Sequence, residues 1–563
     1  MEKLICGLKL THDGALAVIA DDQLLFSVEA EKLENRPRYS AMNTTADLTA
    51  VLRRGGFEPS DVDTVAVDGW GRRNGVSQVT ILDEGTSTTV EVADYADKPG
   101  DDPLAGRPDK APLFGQGLVG FHSYTHATDH ALASFCSSPF AEAGQAALIV
   151  VWDGGMPPCL YHYDPATRSL RLLRQLTTVV GGLYPVFASH LAPFRSPSGP
   201  LDSQHEKLET LLLPVSGKAM AYAALGKPDA SIISVMSAAT KAKPLTDAIH
   251  LYRWTRAVLN SPEAQDTSDA TLTASIQQYL GTTLLDGLTE FLRDEPGYRG
   301  LPLCLSGGCA LNIKWNASLR GSGLFEDVWV PPFPNDAGSA IGAACAEMIR
   351  TTGRSALRWS VFAGPELVPS PDTPAGWRSR PCTPAELGRL LADTGEPVVA
   401  LTGRAEIGPR ALGHRSILAP ATSVAMRDRL NEMKNREGYR PVAPICLVDA
   451  APEIFAPGTP DPYMLFEHDV RPEWAGKVPA IVHVDGSARL QTVGQDNDFL
   501  YEVLSAYRER TGIPVLCNTS ANFNGSGFFP DAVSALRWAG TQHVYADGML
   551  YTAEESRSDG EHR

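Results

Sequence analysis

Three things are scarce in this 563-residue chain: paired cysteines, long apolar runs and positive charge. The nine cysteines (Cys6, Cys136, Cys159, Cys304, Cys309, Cys345, Cys382, Cys446 and Cys517) are odd in number and scattered, and no CxxC pair occurs. Cys304 and Cys309 lack a matching second pair, so neither a disulfide framework nor a thiolate zinc site is expected, and the thiols read as reduced core residues. No apolar stretch approaches the roughly 18 residues needed to span a bilayer, and Met1 to Leu10 begins a strand-like pattern in place of a leader. No membrane partner is expected. With 49 Lys plus Arg against 66 Asp plus Glu, a net charge of -17, no broad basic surface is available and no nucleic-acid partner is expected. These absences point to a globular, cytoplasmic enzyme whose basic character is local, and they are compatible with an oligomer.

What is present suggests two large domains, since the chain is too long for one core. LICGLKL, then THDG, then ALAVIADDQLLFSVEAEKL reads as a strand, a glycine turn and a hairpin turning at Asp21 and Asp22. From residue 147, AALIVVWDGG and the following CLYHYDPATRSLRLLRQ repeat that pattern, which suggests an internal duplication. Acidic and glycine turns in a duplicated α/β unit are the layout of the actin, Hsp70 and sugar-kinase superfold, an analogy of fold only. Residues 75–115 read as an inserted hairpin or loop, and residues 191–213 as an irregular excursion. Prolines and glycines thicken from Arg354 to Thr383, placing a boundary near 360 between domains 1–360 and 361–563, and Thr383 is set to cap a helix. The tail from Glu554 reads as frayed.

Against the acidic background, GRAEIGPRALGHRS places Arg404, Arg410 and Arg415 in a loop broken by Gly403, Gly408, Pro409 and Gly413. Lys434, Arg436 and Arg440 follow at the end of a helix and the turn beyond it. Clustered guanidiniums and loop N–H groups suit an oxyanion, with phosphate the natural candidate. A solvated loop and a helix C-terminus that tolerates cations are the plainer alternatives. His483, Asp485, Arg489, Gln491 and Thr492 in HVDGSARLQTV, and Asn518, Thr519, Ser520 and Asn522 in PVLCNTSANFNG, are expected to follow apolar strands and to bind phosphate or ribose, or else to form turns.

A second constellation lies earlier in the chain. His126 and His130 stand at i and i+4 in a helical pattern, so both imidazoles can face one way, although such a pair is often incidental. Asp153 at a strand end and Asp336 ahead of a small-residue helix complete a set that suits Fe(II), Mn(II) or Zn(II). Gly307 and Gly308 join an apolar strand to a helix, which permits close approach of a nucleotide or merely a tight strand–helix crossing. His12 in the first turn has the chemistry of a general base, although turn histidines are commonly structural.

The two cationic segments resemble the signature of the ATP-dependent O-carbamoyltransferases of antibiotic and nodulation-factor biosynthesis, close to GRxExGPRALGxRSIL followed by KxRExxRPxAP. The resemblance extends from Gly7 to about Asp531. It implies an actin-like amino-terminal domain followed by an α/β domain like threonylcarbamoyl-AMP synthase. It also implies that carbamoyl phosphate and ATP, with Mg²⁺, yield carbamoyl-adenylate, whose carbamoyl group passes to a hydroxyl-bearing small molecule. On the family pattern, His126, His130, Asp153 and Asp336 hold a metal, expected to be iron. His12 is the base beside Asp13, and Gly307, Gly308, Asn312 and Lys218 serve the adenylate. Arg404, Arg410, Arg415, Lys434, Arg436, Arg440, His483, Asp485, Arg489, Gln491, Asn518, Thr519 and Ser520 serve carbamoyl phosphate and ATP. Departures occur at Ala127, Ser216, Ala221, Tyr222 and Ala521. A small-molecule kinase of the same superfold is the main alternative, and it leaves the cationic second domain unused. A non-catalytic nucleotide-binding subunit leaves both residue sets unused.

Overall fold

The computed structural model describes residues 3–73, 76–115, 117–195, 211–242, 245, 247–369, 373–538 and 540–554. Most of the irregular excursion expected at 191–213, and the tail beyond Glu554, lie outside them. The chain divides into two compact units, one of Met1–Ala30 with Tyr39–Ala363, the other of Glu31–Arg38 with Gly364–Arg563. The second unit therefore recruits eight residues from near the start of the chain, which sequence reading keeps with the first domain.

In the first unit, β1 (Leu4–Lys9), β2 (Ala15–Ala20), β3 (Gln23–Glu29) and β4 (Thr64–Asp68) are followed by a small meander. That meander is β5 (Arg72–Arg73), β6 (Val76–Asp83) and β7 (Thr86–Glu91), and β8 (Arg107–Ala111) and β9 (Val119–Tyr124) return to the main sheet, whose order is β3-β2-β1-β4-β9-β8. The expected inserted hairpin is thus β6–β7. A second sheet is built from β10 (Ala147–Val151), β11 (Cys159–Asp164), β12 (Ser169–Gln175), β13 (Leu303–Ser306) and β14 (Val328–Trp329), in the order β12-β11-β10-β13-β14.

Apart from β8, which has no counterpart, the two orders correspond strand for strand, and so do the directions. β1 runs antiparallel to β2 and parallel to β4, as β10 does to β11 and β13. The duplication suggested by the sequence is real, and the repeated order bears out the actin-like architecture. β1, β2 and β10 are buried at every residue, as apolar runs must be when both faces of a sheet are covered.

Equivalent helices of the two repeats meet. His126–Cys136 follows β9 and Ser339–Thr352 follows β14, and they cross at Gly342, where a Cβ would lie 1.8 Å from the Asp129 carbonyl oxygen. Only glycine allows that approach, which brings together two helix starts, one carrying His126 and the other preceded by Asp336.

The second unit is an eight-stranded mixed sheet of order β15-β25-β24-β16-β17-β23-β18-β22, with a three-stranded sheet β19-β20-β21 beside it in sequence. Its strands are β15 (Trp377–Pro381), β16 (Val398–Leu401), β17 (Arg415–Pro420), β18 (Ala443–Leu447), β19 (Phe455–Ala456), β20 (His468–Val470), β21 (Ser487–Ala488), β22 (Gln491–Val493), β23 (Val515–Ser520), β24 (His543–Ala546) and β25 (Met549–Ala553). Thr383 caps helix Pro384–Thr394 in a reciprocal box with Glu386, as its sequence predicts. Asn518, Thr519 and Ser520 end β23 as expected. The segment before His483 is not a strand, because Pro479–Ile481 forms a 3-10 turn that its leading proline suits. All nine cysteines are free and eight are buried.

Candidate active sites

The carboxyl ends of the central strands of both repeats converge, the usual place for ligands in open α/β sheets. Lys9 ends β1, Asp68 ends β4, Ser306 ends β13, and Asp153 follows β10. His126 opens its helix behind Thr125, whose side chain accepts from the Thr128 N–H. His126, His130, Asp153 and Asp336 are all buried, each with a ligand atom within 4.8 Å of the others.

The imidazole tautomers follow from their neighbours. His126 Nδ1 lies 2.9 and 3.0 Å from the two Asp68 oxygens, which a protonated Nδ1 satisfies. His130 Nδ1 faces Ser306 Oγ at 3.4 Å. The two Nε2 atoms then confront each other at 3.1 Å, each 3.6 Å from Asp336 Oδ1. One proton or one cation between them satisfies that approach, and the Asp68–His126 pair is the arrangement that orients a metal-ligating histidine. Lys9 contacts Asp68 at 2.8 Å and Asp336 at 3.0 Å. A buried set of carboxylates and imidazoles is a donor set that suits a divalent ion. The donor set therefore fits the metal implied by the resemblance.

Several partners of this site escaped sequence reading. Lys9 lies 3.9 Å over the Trp70 ring, and Tyr95 stacks on His126 while donating its hydroxyl to Asp153 Oδ2 at 2.6 Å. Asp97 accepts from Thr125, Thr128 and Tyr161, so the inserted segment braces the start of the histidine helix. An aspartate ending an apolar strand and a lysine inside one were the available signals. Asp68→Asn is expected to lower affinity for a divalent ion about 10- to 100-fold with little loss of stability, measured by chelator competition on the folded protein. Unchanged affinity would refute the orienting role.

His12 joins this site. Its Nδ1 meets Asp13 Oδ2 at 2.9 Å and Asp336 Oδ2 at 3.8 Å, and it remains partly open to solvent. Burial pulls its pKa down, but Asp336 and Asp13 outweigh that and raise it. With Asp13 occupying Nδ1, Nε2 is the nitrogen available to a substrate.

The glycine turn has close contacts within the protein. Gly307 has φ 86°, and a Cβ there would meet the Trp152 carbonyl oxygen at 2.3 Å, so the tight crossing alone demands glycine. The Gly308 N–H donates to Asp153 Oδ1 at 2.6 Å. Asn312 caps helix Ile313–Gly321 and pairs with Gln277 through both ends of its amide. Of the three, Gly308 contacts the His/Asp cluster directly, and Lys218 is half-buried on helix Val215–Tyr222.

In the second unit, part of the arginine loop's backbone is taken up internally. The Glu406 Oε1 accepts from the N–H groups of Leu412 at 2.6 Å, His414 at 2.8 Å and Arg415 at 3.2 Å. Arg415 is buried and donates to the carbonyls of Thr402, Gly403 and His414, so its guanidinium braces the loop. Gln491 and Asn518 hold the carbonyls of Leu412 and Ala411, each at 2.9 Å. His483 Nε2 reaches the Tyr439 carbonyl and its Nδ1 faces Asp485, while Ser520 Oγ donates to Asn522 Oδ1. Arg404 Nε donates to Gly364 O at 3.0 Å.

The remaining cations converge. Burial, Arg410 and Arg440 hold the Arg489 pKa well below the usual range, and burial with Arg440, Arg38 and Arg489 brings Arg436 to about 9. Like charges gathered out of water repel, so a cluster of five guanidiniums is stabilised by an anion among them. The Arg489 Nε and Thr519 Oγ1 are sealed from water with no hydrogen-bond partner among the described residues.

Lys434 grips the Ser520 carbonyl at 2.9 Å and the Asn522 carbonyl and Oδ1 at 2.7 and 2.6 Å, three acceptors for one ammonium. Burial, then Arg436 and Arg38, pull its pKa from 10.5 to about 6, so the third proton is held weakly until negative charge arrives. An anion raises that pKa, and binding at about pH 7.5 is expected to take up a proton and to weaken as pH rises above 6. Calorimetry with carbamoyl phosphate in buffers of different ionisation enthalpy measures the uptake, and a slope of zero would refute it.

A duplicated α/β unit with a buried His/Asp cluster is joined in one chain to an α/β unit with a buried cluster of guanidiniums. Family profiles described as Carbamoyltransferase N-terminus and Carbamoyltransferase C-terminus match residues 4–98 with 115–345 and residues 389–550. The chain belongs to the carbamoyltransferase family. It is 43% identical to Nodulation protein U of Rhizobium tropici, over 98% of this chain and 96% of that protein. It is 36% identical to the 3'-hydroxymethylcephem-O-carbamoyltransferase of Streptomyces clavuligerus, over 97% and 99% of the two chains. Among the described residues no helix is long and apolar enough to cross a membrane.

Proposed function

We propose that this chain uses carbamoyl phosphate and ATP to form carbamoyl-adenylate on its second unit and transfers the carbamoyl group at its first unit to a hydroxyl of a secondary metabolite. The observation that carries the reading is the partnerless Arg489 Nε within a cluster of guanidiniums, a site incomplete without an oxyanion. Hydrolysis of carbamoyl phosphate gives phosphate and carbamate, which is short-lived in water. A carbamate oxygen attacks the ATP α-phosphorus, and pyrophosphate leaves. Arg410, Arg436, Arg440 and Arg489 hold the phosphoryl oxygens and offset the charge gathering on the leaving group, with Mg²⁺ accompanying ATP as substrate.

At the first unit, His12 Nε2 takes the acceptor's hydroxyl proton while Asp13 holds Nδ1, the logic of an oriented general base. The acceptor oxygen bonds to the carbamoyl carbon, the bond to AMP breaks, and AMP leaves. His126, His130, Asp153 and Asp336 would hold a divalent ion, Fe(II) with Mn(II) or Zn(II) as alternatives, which would supply Lewis-acid neutralisation of the adenylate phosphate. The hydroxymethylcephem acceptor in a relative's name supports a hydroxyl acceptor here.

The test is product analysis with ATP, carbamoyl phosphate and hydroxylamine as a surrogate acceptor. AMP, pyrophosphate and hydroxyurea are expected. ADP in their place would indicate γ-phosphoryl transfer, and no dependence on carbamoyl phosphate would also reject the proposal.

A further inference from the structure

The cation cluster has one member that lies far outside the two motif segments. Residues 31–38 belong to the second unit although they leave and re-enter the first unit's sequence between β3 and Tyr39. Their attachment is specific. The Arg38 N–H donates to the Gly525 carbonyl at 2.9 Å, the Gly527 N–H donates to the Arg36 carbonyl at 3.0 Å, and Pro37 forms an antiparallel bridge with Ser526. Asn35 Nδ2 reaches Ser534 Oγ at 2.9 Å. Lys32, buried, donates to the carbonyls of Glu406 and Gly408 at 2.5 and 2.8 Å, gripping the loop that carries Arg410. The segment thus contacts two of the loops that form the oxyanion site.

Arg38 Nε points at the Ser526 carbonyl at 3.3 Å, and the same carbonyl accepts from Asn522 Nδ2 at 2.8 Å. Asn522 in turn holds Lys434 through its carbonyl and its Oδ1. One shared carbonyl therefore links Arg38 to the lysine, and Arg38 is only half-buried. Besides that one carbonyl, Arg38 stands close enough to Lys434 and Arg436 to push both their pKa values down.

Resting on the reading given above, we infer that Arg38 is a direct ligand of the phosphoryl group held by Arg436, with Lys32 positioning the Arg410 loop from the same eight-residue segment. The chemistry recognised is a phosphoryl oxyanion, from either carbamoyl phosphate or the polyphosphate of ATP. A guanidinium fork onto such an oxygen is a charge-assisted contact that an ammonium copies only in part.

The experiment is calorimetric titration of the full chain, wild type and the variants Arg38→Ala and Arg38→Lys, with carbamoyl phosphate and separately with pyrophosphate, beside thermal melts of each. Arg38→Ala is expected to weaken at least one anion about 10- to 100-fold, and Arg38→Lys by less, with melting temperatures close to wild type. Loss confined to carbamoyl phosphate assigns Arg38 to the acyl donor, and loss confined to pyrophosphate assigns it to ATP. Unchanged affinity for both anions overturns the inference even if the wild type makes AMP. Conversely, loss of pyrophosphate binding in Arg38→Ala supports it even if no AMP forms, an outcome that would reject only the proposed reaction. A wild type that binds neither anion overturns it.

Discussion

Carbamoyl-phosphate-dependent AMP formation by Arg489→Met is expected to fall about 10²- to 10³-fold while the protein becomes more stable, by about 1–2 kcal/mol. Both halves follow from one fact. Arg489 is a desolvated guanidinium pressed by Arg410 and Arg440, with Asp461 its modest offset, and its Nε has no partner. Without an anion it costs folding free energy, and with one it supplies stabilisation aimed at the phosphoryl group. Methionine of similar length removes the repulsion and keeps the packing.

Arg415→Met is the informative contrast. Arg415 donates to four carbonyls and is almost wholly enclosed, so its loss strands buried acceptors and is expected to destabilise by about 3 kcal/mol. Urea unfolding of both variants alongside the AMP assay checks the pair. If Arg489→Met is destabilised like Arg415→Met, Arg489 is scaffold and the oxyanion site is misassigned.

Asp336→Asn is expected to lose at least about nine-tenths of its bound divalent metal and to slow transfer to a hydroxyl acceptor about 10³-fold. Hydroxylamine-trapped AMP formation should stay within about twofold. The asymmetry follows from position. Asp336 Oδ1 lies 3.6 Å from both histidine Nε2 atoms, and its Oδ2 faces Lys9 and His12. The amide keeps the volume but removes the charge that binds the cation, and Lys9 retains Asp68. Elemental analysis of the purified variant reads the metal independently of turnover. Retained metal, or an equal loss of AMP formation, would contradict separate sites for adenylate formation and carbamoyl transfer.

Much of this arrangement is legible along the chain because its signals are local. His126 and His130 share a helix, so one turn of geometry aligns them, and Asp153 and Asp336 stand at an element end and a helix start. The two matching hairpin patterns likewise announce the duplicated sheets. Roles among the cations are less legible. Arg404, Arg410 and Arg415 look equivalent in GRAEIGPRALGHRS, yet Arg415 is consumed by carbonyls that the fold of the loop brings round it. The buried Glu406, which consumes the loop N–H groups, carries no local mark distinguishing it from a surface glutamate. HVDG reads as following a strand, but the proline at 479 and the packing around it favour a 3-10 turn.

By itself, then, the sequence determined the residue inventory of both sites, the paired repeats, the reduced thiols and the family motifs, because each is written within a turn or a strand of its neighbours. Tertiary structure decided what each group does. Asp68 reaches His126 across 58 residues, Asp153 takes the Gly308 amide across 155, and Lys32 grips Glu406 across 374. A side chain's chemistry depends on which partners remain unsatisfied around it, and that is a property of packing, which no window of residues contains.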